Sequence, residues 1–299
     1  MMTSWTKTIV LPANQPPISL KDQLIRWQVP RRVRGNFRME KRLRLNGYYQ
    51  PTSTILNPGD NLQMTWLAHD FITPDSHYLP DDSQTLAVLF ENDDFMVVNK
   101  QKGVKSHPNS PGEDGTMMNF AQAYLSRQNK KAYMVHRLDS QTTGALIIAK
   151  VPYIVPMLNQ KLHDKTIKRT YLAWVNGVLD EHQGTITLPI GDHPTNKRLR
   201  QVNGEHAKQA ITHWTKIKTV YQQTLVRLVL ETGRTHQIRL HMAAIGHPLV
   251  GDDLYNMQTD YPGGLLLHSA VVQIPIPFTT QVKSIGAPLP ASFPVNVKY

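Results

Sequence analysis

Val135-His136-Arg137-Leu138-Asp139-Ser140-Gln141-Thr142-Thr143-Gly144-Ala145-Leu146-Ile147-Ile148-Ala149-Lys150 is a polar segment running straight into an apolar one. Ala145 to Ala149 has the length and composition of a buried strand, so Asp139 to Gly144 reads as the loop that enters it. A carboxylate on a loop held by a rigid strand is well placed for chemistry. The plainer reading of Asp139 is an Asx-turn residue whose side chain closes the loop on backbone amides. The rest of the chain has to decide between them.

The chain has 299 residues, room for a small domain followed by a larger one, and a 40% hydrophobic content sufficient for a packed core. A net charge of +11 favours a polyanionic partner or an anionic surface. No apolar run approaches the length of a transmembrane helix, and the first residues lack the apolar centre of a signal peptide. There is no cysteine, which removes disulfides, thiolate nucleophiles and sulfur-ligated zinc. These features predict a soluble cytoplasmic protein, with nucleic acid as the leading partner and no membrane association.

In the N-terminal part, Ser19 is a candidate N-cap, and Leu20, Leu24 and Trp27 recur at helical spacing up to Pro30. Arg31, Arg32, Arg34, Arg38, Lys41, Arg42 and Arg44 then place seven cations in fourteen residues against one acid, Glu40. A solvated, salt-bridged face would be better balanced, so phosphate contact is the reading these residues support. Asn46-Gly47 marks a tight hairpin. Asp70 to Gln84 reads as a linker, with a domain boundary near residue 80, giving domains of 1–80 and 81–299.

Further along, Leu86–Phe90 and Phe95–Asn99 predict a hairpin, and Met117, Phe120, Ala121, Tyr124 and Leu125 a helical stripe. Ile167 to Asn176 predicts a strand with Tyr171, Ala173 and Val175 on one face and Thr170, Leu172 and Trp174 on the other. Residues 207–218 and 224–231 predict paired strands. Lys197, Arg198 and Arg200 form a second basic cluster, for RNA or for solvent. Thr235 is a candidate N-cap for a helix carrying Ile238 and Met242 and ended by Gly246.

His136-Arg137-Leu138-Asp139 with Thr142-Thr143-Gly144 resembles the signature of the RluA-type RNA pseudouridine synthases. Phe90 through Asn99-Lys100 to His107-Pro108 is similar to the family's first motif, although Gln101 stands where proline usually follows the lysine. Arg169 and Tyr171 resemble the second motif, with Arg where Lys is common. Gly233-Arg234-Thr235-His236-Gln237-Ile238-Arg239, continuing through Gly246-His247-Pro248-Leu249-Val250-Gly251-Asp252, resembles the third, and Leu267-His268-Ser269 the strand that follows. Together these segments span about residues 85 to 280. The N-terminal helix, basic segment and hairpin resemble the S-four-type RNA-binding domain that often precedes this catalytic domain.

The resemblance implies an α+β fold, a mixed and mainly antiparallel sheet with a central catalytic cleft, preceded by a small N-terminal α+β RNA-binding domain. It implies isomerisation of uridine to pseudouridine in structured ribosomal or transfer RNA, with Asp139 as the catalytic residue. Arg137 is then expected to fill the gap left by a flipped base, Tyr171 to stack on the uracil, Arg234 to pair with Asp139, and Leu267 to form an apolar wall. The reaction is redox-neutral, so no cofactor and no metal are expected, and the expected state is a monomer. A carboxylate can attack the sugar or take a proton from it, and the residues leave both routes open.

Two other functions compete for these residues. One is an RNA-binding module without catalysis, driven by residues Arg31 to Arg44. The other is a metal-dependent nuclease using His236, His241, Asp252 and Asp253; its two histidines are five apart on a helix and do not share a face as ligands four apart would.

Overall fold

The structure, a computed structural model, describes residues 3–71, 76–256 and 261–294. Residues 72–75 of the expected linker lie outside the described residues.

The N-terminal part holds two helices, α1 (Leu20–Arg26) and α2 (Arg31–Met39), against a four-stranded sheet. Ser19 caps α1 as its sequence suggests, its hydroxyl accepting from the Asp22 amide at 3.1 Å. The basic segment is itself a helix, α2, which buries Val33 and Phe37 and leaves Arg31, Arg32 and Arg38 exposed. Asn46 and Gly47 both adopt positive φ in the turn joining Leu43–Leu45 to Tyr48–Tyr49. That is the backbone the Asn-Gly pair favours.

The expected linker begins later than its composition suggests. Asp70 is buried and accepts two hydrogen bonds from Arg42, at 2.6 and 2.9 Å. Beyond Phe71 the connection is tied to α3 (Met117–Ser126): Asn119 donates to the Leu79 carbonyl, and the Gly115 amide donates to Asp81.

A ten-stranded sheet follows. Its main path runs Gln183–Ile186, Thr212–Val220, Gln223–Leu230, Lys168–Asn176, Leu267–Pro275, Thr143–Ala149, Phe95–Lys100, Val88–Glu91. Neighbours pair antiparallel except at one seam, where Thr143 and Gly144 lie parallel to His268 and Ser269. Gly144 is required at that seam. Its φ is +105°, and a Cβ there would collide with the Ser269 carbonyl.

Both faces of the central strand are covered, which explains its unbroken apolar run. Ala145, Ile147 and Ala149 join one core; Leu146 and Ile148 join the other. The second core takes Met117, Phe120 and Leu125 of α3 together with Ile238 and Met242 of α5 (Gln237–Ala244). The first takes Met157 and Leu158 of α4 (Ile154–His163), and it also contains Phe37, Leu62 and Trp66 from the N-terminal sheet and helices. Trp66 stacks on Tyr153 with ring centroids 4.3 Å apart, and Lys7 holds Asp94 through both carboxylate oxygens. Residues 3–71 and the large sheet therefore share one apolar interior.

One strand expectation shifts and another holds. Residues 207–208 belong to Glu205–Lys208, in a separate three-stranded sheet with Ile190–Asp192 and Arg200–Val202, and the long strand starts at Thr212. Strand Lys168–Asn176 alternates as expected, Tyr171, Ala173 and Val175 facing one core and Leu172 and Trp174 another.

Candidate active site

The loop before the parallel seam is fixed by its backbone. Ser106 donates its hydroxyl to the Leu138 carbonyl at 2.7 Å and accepts from the Leu138 amide at 2.9 Å. The Thr142 amide donates to the Asp139 carbonyl at 3.0 Å. Lys100, 1% exposed, sends its ammonium to the carbonyls of Gln101, Val104 and Ser140 at 2.9, 2.6 and 2.7 Å. His136 is half-buried; its Nε2 accepts from the Ile147 amide at 3.0 Å, and desolvation of the ring pushes its pKa down to about 3, so the ring is neutral. Every restraint is on main chain or on neighbours, and among the described residues the Asp139 carboxylate makes no hydrogen bond or ion pair. The turn is closed by the Asp139 carbonyl and not by its side chain, which disposes of the Asx-turn reading.

Asp139 opens into a cavity of about 650 Å³. Arg137, Tyr171, Arg234 and Leu267 line the same cavity, so the structure brings all five expected catalytic and substrate-binding residues together. Tyr171 and Leu267 are each 4% exposed and form apolar wall, while Arg137 is exposed at the rim.

Arg234 differs from expectation. It is exposed, its Nε donates to the Gln209 carbonyl at 3.1 Å, and it forms no ion pair with Asp139. The buried cation on this wall is Arg239, on α5, which grips Asp252 at 2.8 and 2.5 Å and reaches Asp253 at 2.9 Å. Burial works against its charge, but the hydrogen bonds it donates to Asp252 and the fields of Asp252, Asp139 and Asp253 outweigh it and hold its pKa above the ordinary value. The field of Asp139 also acts on Lys100 and His236, raising pKa values that burial lowers. Sequence reasoning passed over Arg239 because it is the last residue of its motif. The signal was available: an arginine four residues after Thr235, within a helix of otherwise buried residues, needs an acid to be buried at all.

The helix start also differs. α5 begins at Gln237, and the residue before it is His236, in the left-handed region at φ 57°, not Thr235. Gln237 does the capping work: its Oε1 accepts from the Arg234 amide at 3.0 Å and from the Thr232 hydroxyl at 2.8 Å. His236 is thereby turned toward Tyr255, whose hydroxyl lies 2.9 Å from its Nδ1.

Arg169 was given no role in the sequence, yet it lines the cavity too. Its Nε is buried without a hydrogen-bond partner, and its guanidinium rests against Gly233, where a Cβ would stand 3.4 Å from it.

Among the phosphate-contact candidates, Arg42 is a correction. Its side chain is 8% exposed and is committed to Asp70 and Glu40. It holds the N-terminal part together and is not presented to a ligand. Arg31, Arg32, Arg38, Lys41 and Arg44 are exposed, and Arg34 is half-buried.

The nuclease quartet does not assemble. His241 is buried between the Thr212 hydroxyl and the Leu188 carbonyl, Asp252 is taken by Arg239, and His236 meets Tyr255. Among the described residues no three His, Cys, Asp or Glu side chains converge as metal ligands, and no helix is long and apolar enough to cross a membrane.

Comparison with known proteins adds a second, independent line. Residues 94–244 match the family described as RNA pseudouridylate synthase, and residues 7–62 match the RluD ribosomal pseudouridine synthase N-terminal domain. The uncharacterized RNA pseudouridine synthase YhcT of Bacillus subtilis is 39% identical over 213 residues, 69% of each chain. The ribosomal large subunit pseudouridine synthase D of Haemophilus ducreyi is 34% identical over 224 residues, covering 70% of this chain and 68% of that one. Among solved structures, human RNA pseudouridylate synthase domain containing 1 superposes with a TM-score of 0.59 at 27% identity, covering 71% of this chain and 86% of the other.

Proposed function

The chain belongs to the RNA pseudouridylate synthase family and isomerises uridine in RNA, and from that premise we propose that Asp139 is its catalytic residue and ribosomal RNA its substrate. The observation that carries the first part is the state of the Asp139 carboxylate: held rigidly through its backbone, free of side-chain partners, and facing a cavity walled by Tyr171 and Leu267.

A stacked uracil has to leave the RNA helix to reach that carboxylate, at a cost of a few kcal/mol. In this reading Arg137, at the rim, fills the space the base vacates, and Tyr171 offers its ring to the uracil inside. Asp139 then meets the sugar. By attack on the anomeric carbon, or by taking a proton from the ribose, it breaks the bond from that carbon to nitrogen 1 of the uracil; the freed base turns, its carbon 5 bonds to the same sugar carbon as Asp139 is displaced or gives its proton back, and the proton then lost from carbon 5 is balanced by the one gained at nitrogen 1. Arg239, fixed by Asp252, keeps a permanent positive charge behind the carboxylate. Arg169 and Arg234 add cations beside the nucleotide's phosphates. The chemistry balances without an electron carrier, and we propose that neither a metal nor a cofactor takes part.

Two findings support ribosomal RNA: the N-terminal match to the RluD ribosomal domain, and relatives named for the ribosomal large subunit. The exposed cations of α2 and the following hairpin serve as the phosphate contacts. We place the domain boundary near residue 80 and the enzyme in the cytoplasm, as a monomer. Mapping pseudouridines in cells with and without the gene tests the substrate. Loss of one or a few sites in large-subunit ribosomal RNA is expected. Losses confined to transfer RNA would overturn the assignment.

A further inference from the structure

His236 lines the catalytic cavity with Asp139 and has no part in the chemistry described above. Its backbone stands at φ 57° and ψ 18°, a conformation that side-chain-bearing residues keep only where their surroundings hold them in it. The ring is held as well. The Tyr255 hydroxyl lies 2.9 Å from Nδ1 and accepts from the Arg200 amide at 2.8 Å. The Tyr255 ring meets the imidazole edge-on, with centroids 5.7 Å apart.

A phenol hydroxyl has one proton to give. With the Arg200 amide donating to the Tyr255 oxygen, that proton is assigned to His236 Nδ1, which makes Nδ1 the acceptor nitrogen of the ring. The neutral imidazole then carries its own hydrogen on Nε2. Desolvation holds the pKa of His236 below the ordinary histidine value, with the charge of Asp139 opposing, so the neutral ring prevails at pH 7. Tyr255 is not among the residues that line the cavity, whereas His236 is. Nδ1 is thus spent on a group outside the cavity, and among the described residues Nε2 makes no hydrogen bond.

We propose that His236 is a second catalytic residue: its Nε2–H, fixed in that tautomer by Tyr255, donates a hydrogen bond to O2 of the flipped uracil. Asp139 works at the anomeric carbon. O2 sits on the ring carbon next to nitrogen 1, which makes it the oxygen of the base nearest that centre. By either route of Asp139, the electron pair of the breaking bond passes into the uracil and spreads over O2 and O4. A donor already aimed at O2 stabilises that charge more than it stabilises the bound substrate, which is what acceleration requires. His236 keeps its proton throughout, and no covalent bond is made or broken at it. The proposal rests on the Asp139 cavity being the uridine site.

The test uses the full chain, a large-subunit ribosomal RNA transcript, and the variants His236→Phe, His236→Gln and Tyr255→Phe. Single-turnover rates are measured beside RNA affinity and melting. His236→Phe should lower the rate about 100-fold, the size of one lost donor to a developing oxyanion, with affinity within about twofold of wild type. His236→Gln, which keeps an N–H near the place of Nε2, should recover about tenfold of that loss. Tyr255→Phe, a change in a positioning residue, should cost about tenfold by releasing the tautomer. The decisive arm puts 2-thiouridine at the converted position, because sulfur is a weak hydrogen-bond acceptor. The ratio of uridine to 2-thiouridine rates should be about tenfold lower in His236→Phe than in the wild type, and lower in Tyr255→Phe as well. An unchanged ratio, a wild-type rate in His236→Phe, or a loss that follows melting and is not recovered by glutamine overturns the proposal. Should His236→Phe fail to fold, the ratio in Tyr255→Phe decides. If the wild type converts ribosomal RNA and the ratio stays fixed, only the role of His236 falls. If the wild type converts none, the reading of the Asp139 cavity falls first.

Discussion

The ammonium of Lys100 donates to the carbonyl of Ser140, the residue after Asp139, across 2.7 Å, and the same ammonium also holds the carbonyls of Gln101 and Val104. Three acceptors need three N–H donors, which only the charged lysine has. Burial pulls the pKa of Lys100 down to about 7, with Asp139 opposing the shift. Raising the pH through 7 should therefore release one carbonyl and loosen the catalytic loop, so kcat should fall on the alkaline side. Stability should move the other way. Between about pH 7 and the ordinary lysine value the unfolded chain binds the extra proton, so stability rises with pH over that window. A pH–kcat profile beside melting curves checks both. Lys100→Met should remove the alkaline fall together with most of the activity.

Arg42 and Arg38 lie four residues apart and should behave differently. Arg42→Met strands the buried Asp70 carboxylate and should destabilise the protein by about 3–5 kcal/mol. Arg38→Gln, at an exposed position, should leave melting unchanged and reduce the salt slope of RNA binding by about one. Burial works against the Asp70 charge, but Arg42, Asn36 and the Leu67 amide outweigh it and hold its pKa below the usual range. The pair's stabilisation is thus present above the ordinary carboxylate value and lost as pH falls through the lowered one. Denaturant melts at two pH values and salt titrations of RNA affinity measure these effects.

Deleting the N-terminal residues outright is a poor test of RNA binding here, because it would strip Trp66 from Tyr153 and Phe37 from the shared core. Point changes on α2 isolate the cations. This intimacy was not legible in the sequence. An exposed-looking linker composition hides the fact that a tryptophan from one segment packs on a tyrosine some ninety residues later.

Tyr171→Phe should retain most activity, whereas Tyr171→Ala should lower kcat/KM by about 1–3 kcal/mol, the range for a lost base–aromatic contact. Steady-state kinetics on ribosomal RNA separates the two. A larger loss in Tyr171→Phe would assign the hydroxyl a part in the chemistry.

Gly144→Ala should prevent native folding or stall expression, since its backbone lies in the left-handed region and a methyl group would meet the Ser269 carbonyl. Solubility and circular dichroism report the outcome.

What the sequence made legible was local. The apolar run after Asp139, the Ser19 cap and the Asn46-Gly47 turn each follow from side-chain chemistry within a few residues. The position of Asp139, on a polar loop entering a buried strand, was legible from the residues, whereas its catalytic role came from the resemblance of His136-Arg137-Leu138-Asp139 to the family signature. Tertiary partners were not legible. The helix pattern around Arg239 signals a buried arginine, but nothing near it says that Asp252 is the acid that holds it, and nothing near Arg42 reveals that Asp70 will claim it. Nor was the helix start legible: His236 stands in the left-handed conformation, and Gln237, the first residue of α5, accepts from the Arg234 amide.

The central claim, that the unpartnered carboxylate at 139 performs the isomerisation, is tested most directly by Asp139→Asn. Pseudouridine formation should be measured on ribosomal RNA under single-turnover conditions, with RNA affinity measured alongside. The expected result is no detectable conversion with affinity within about twofold of wild type, because the amide keeps the shape and loses the charge. Turnover at the wild-type rate in Asp139→Asn would contradict the account.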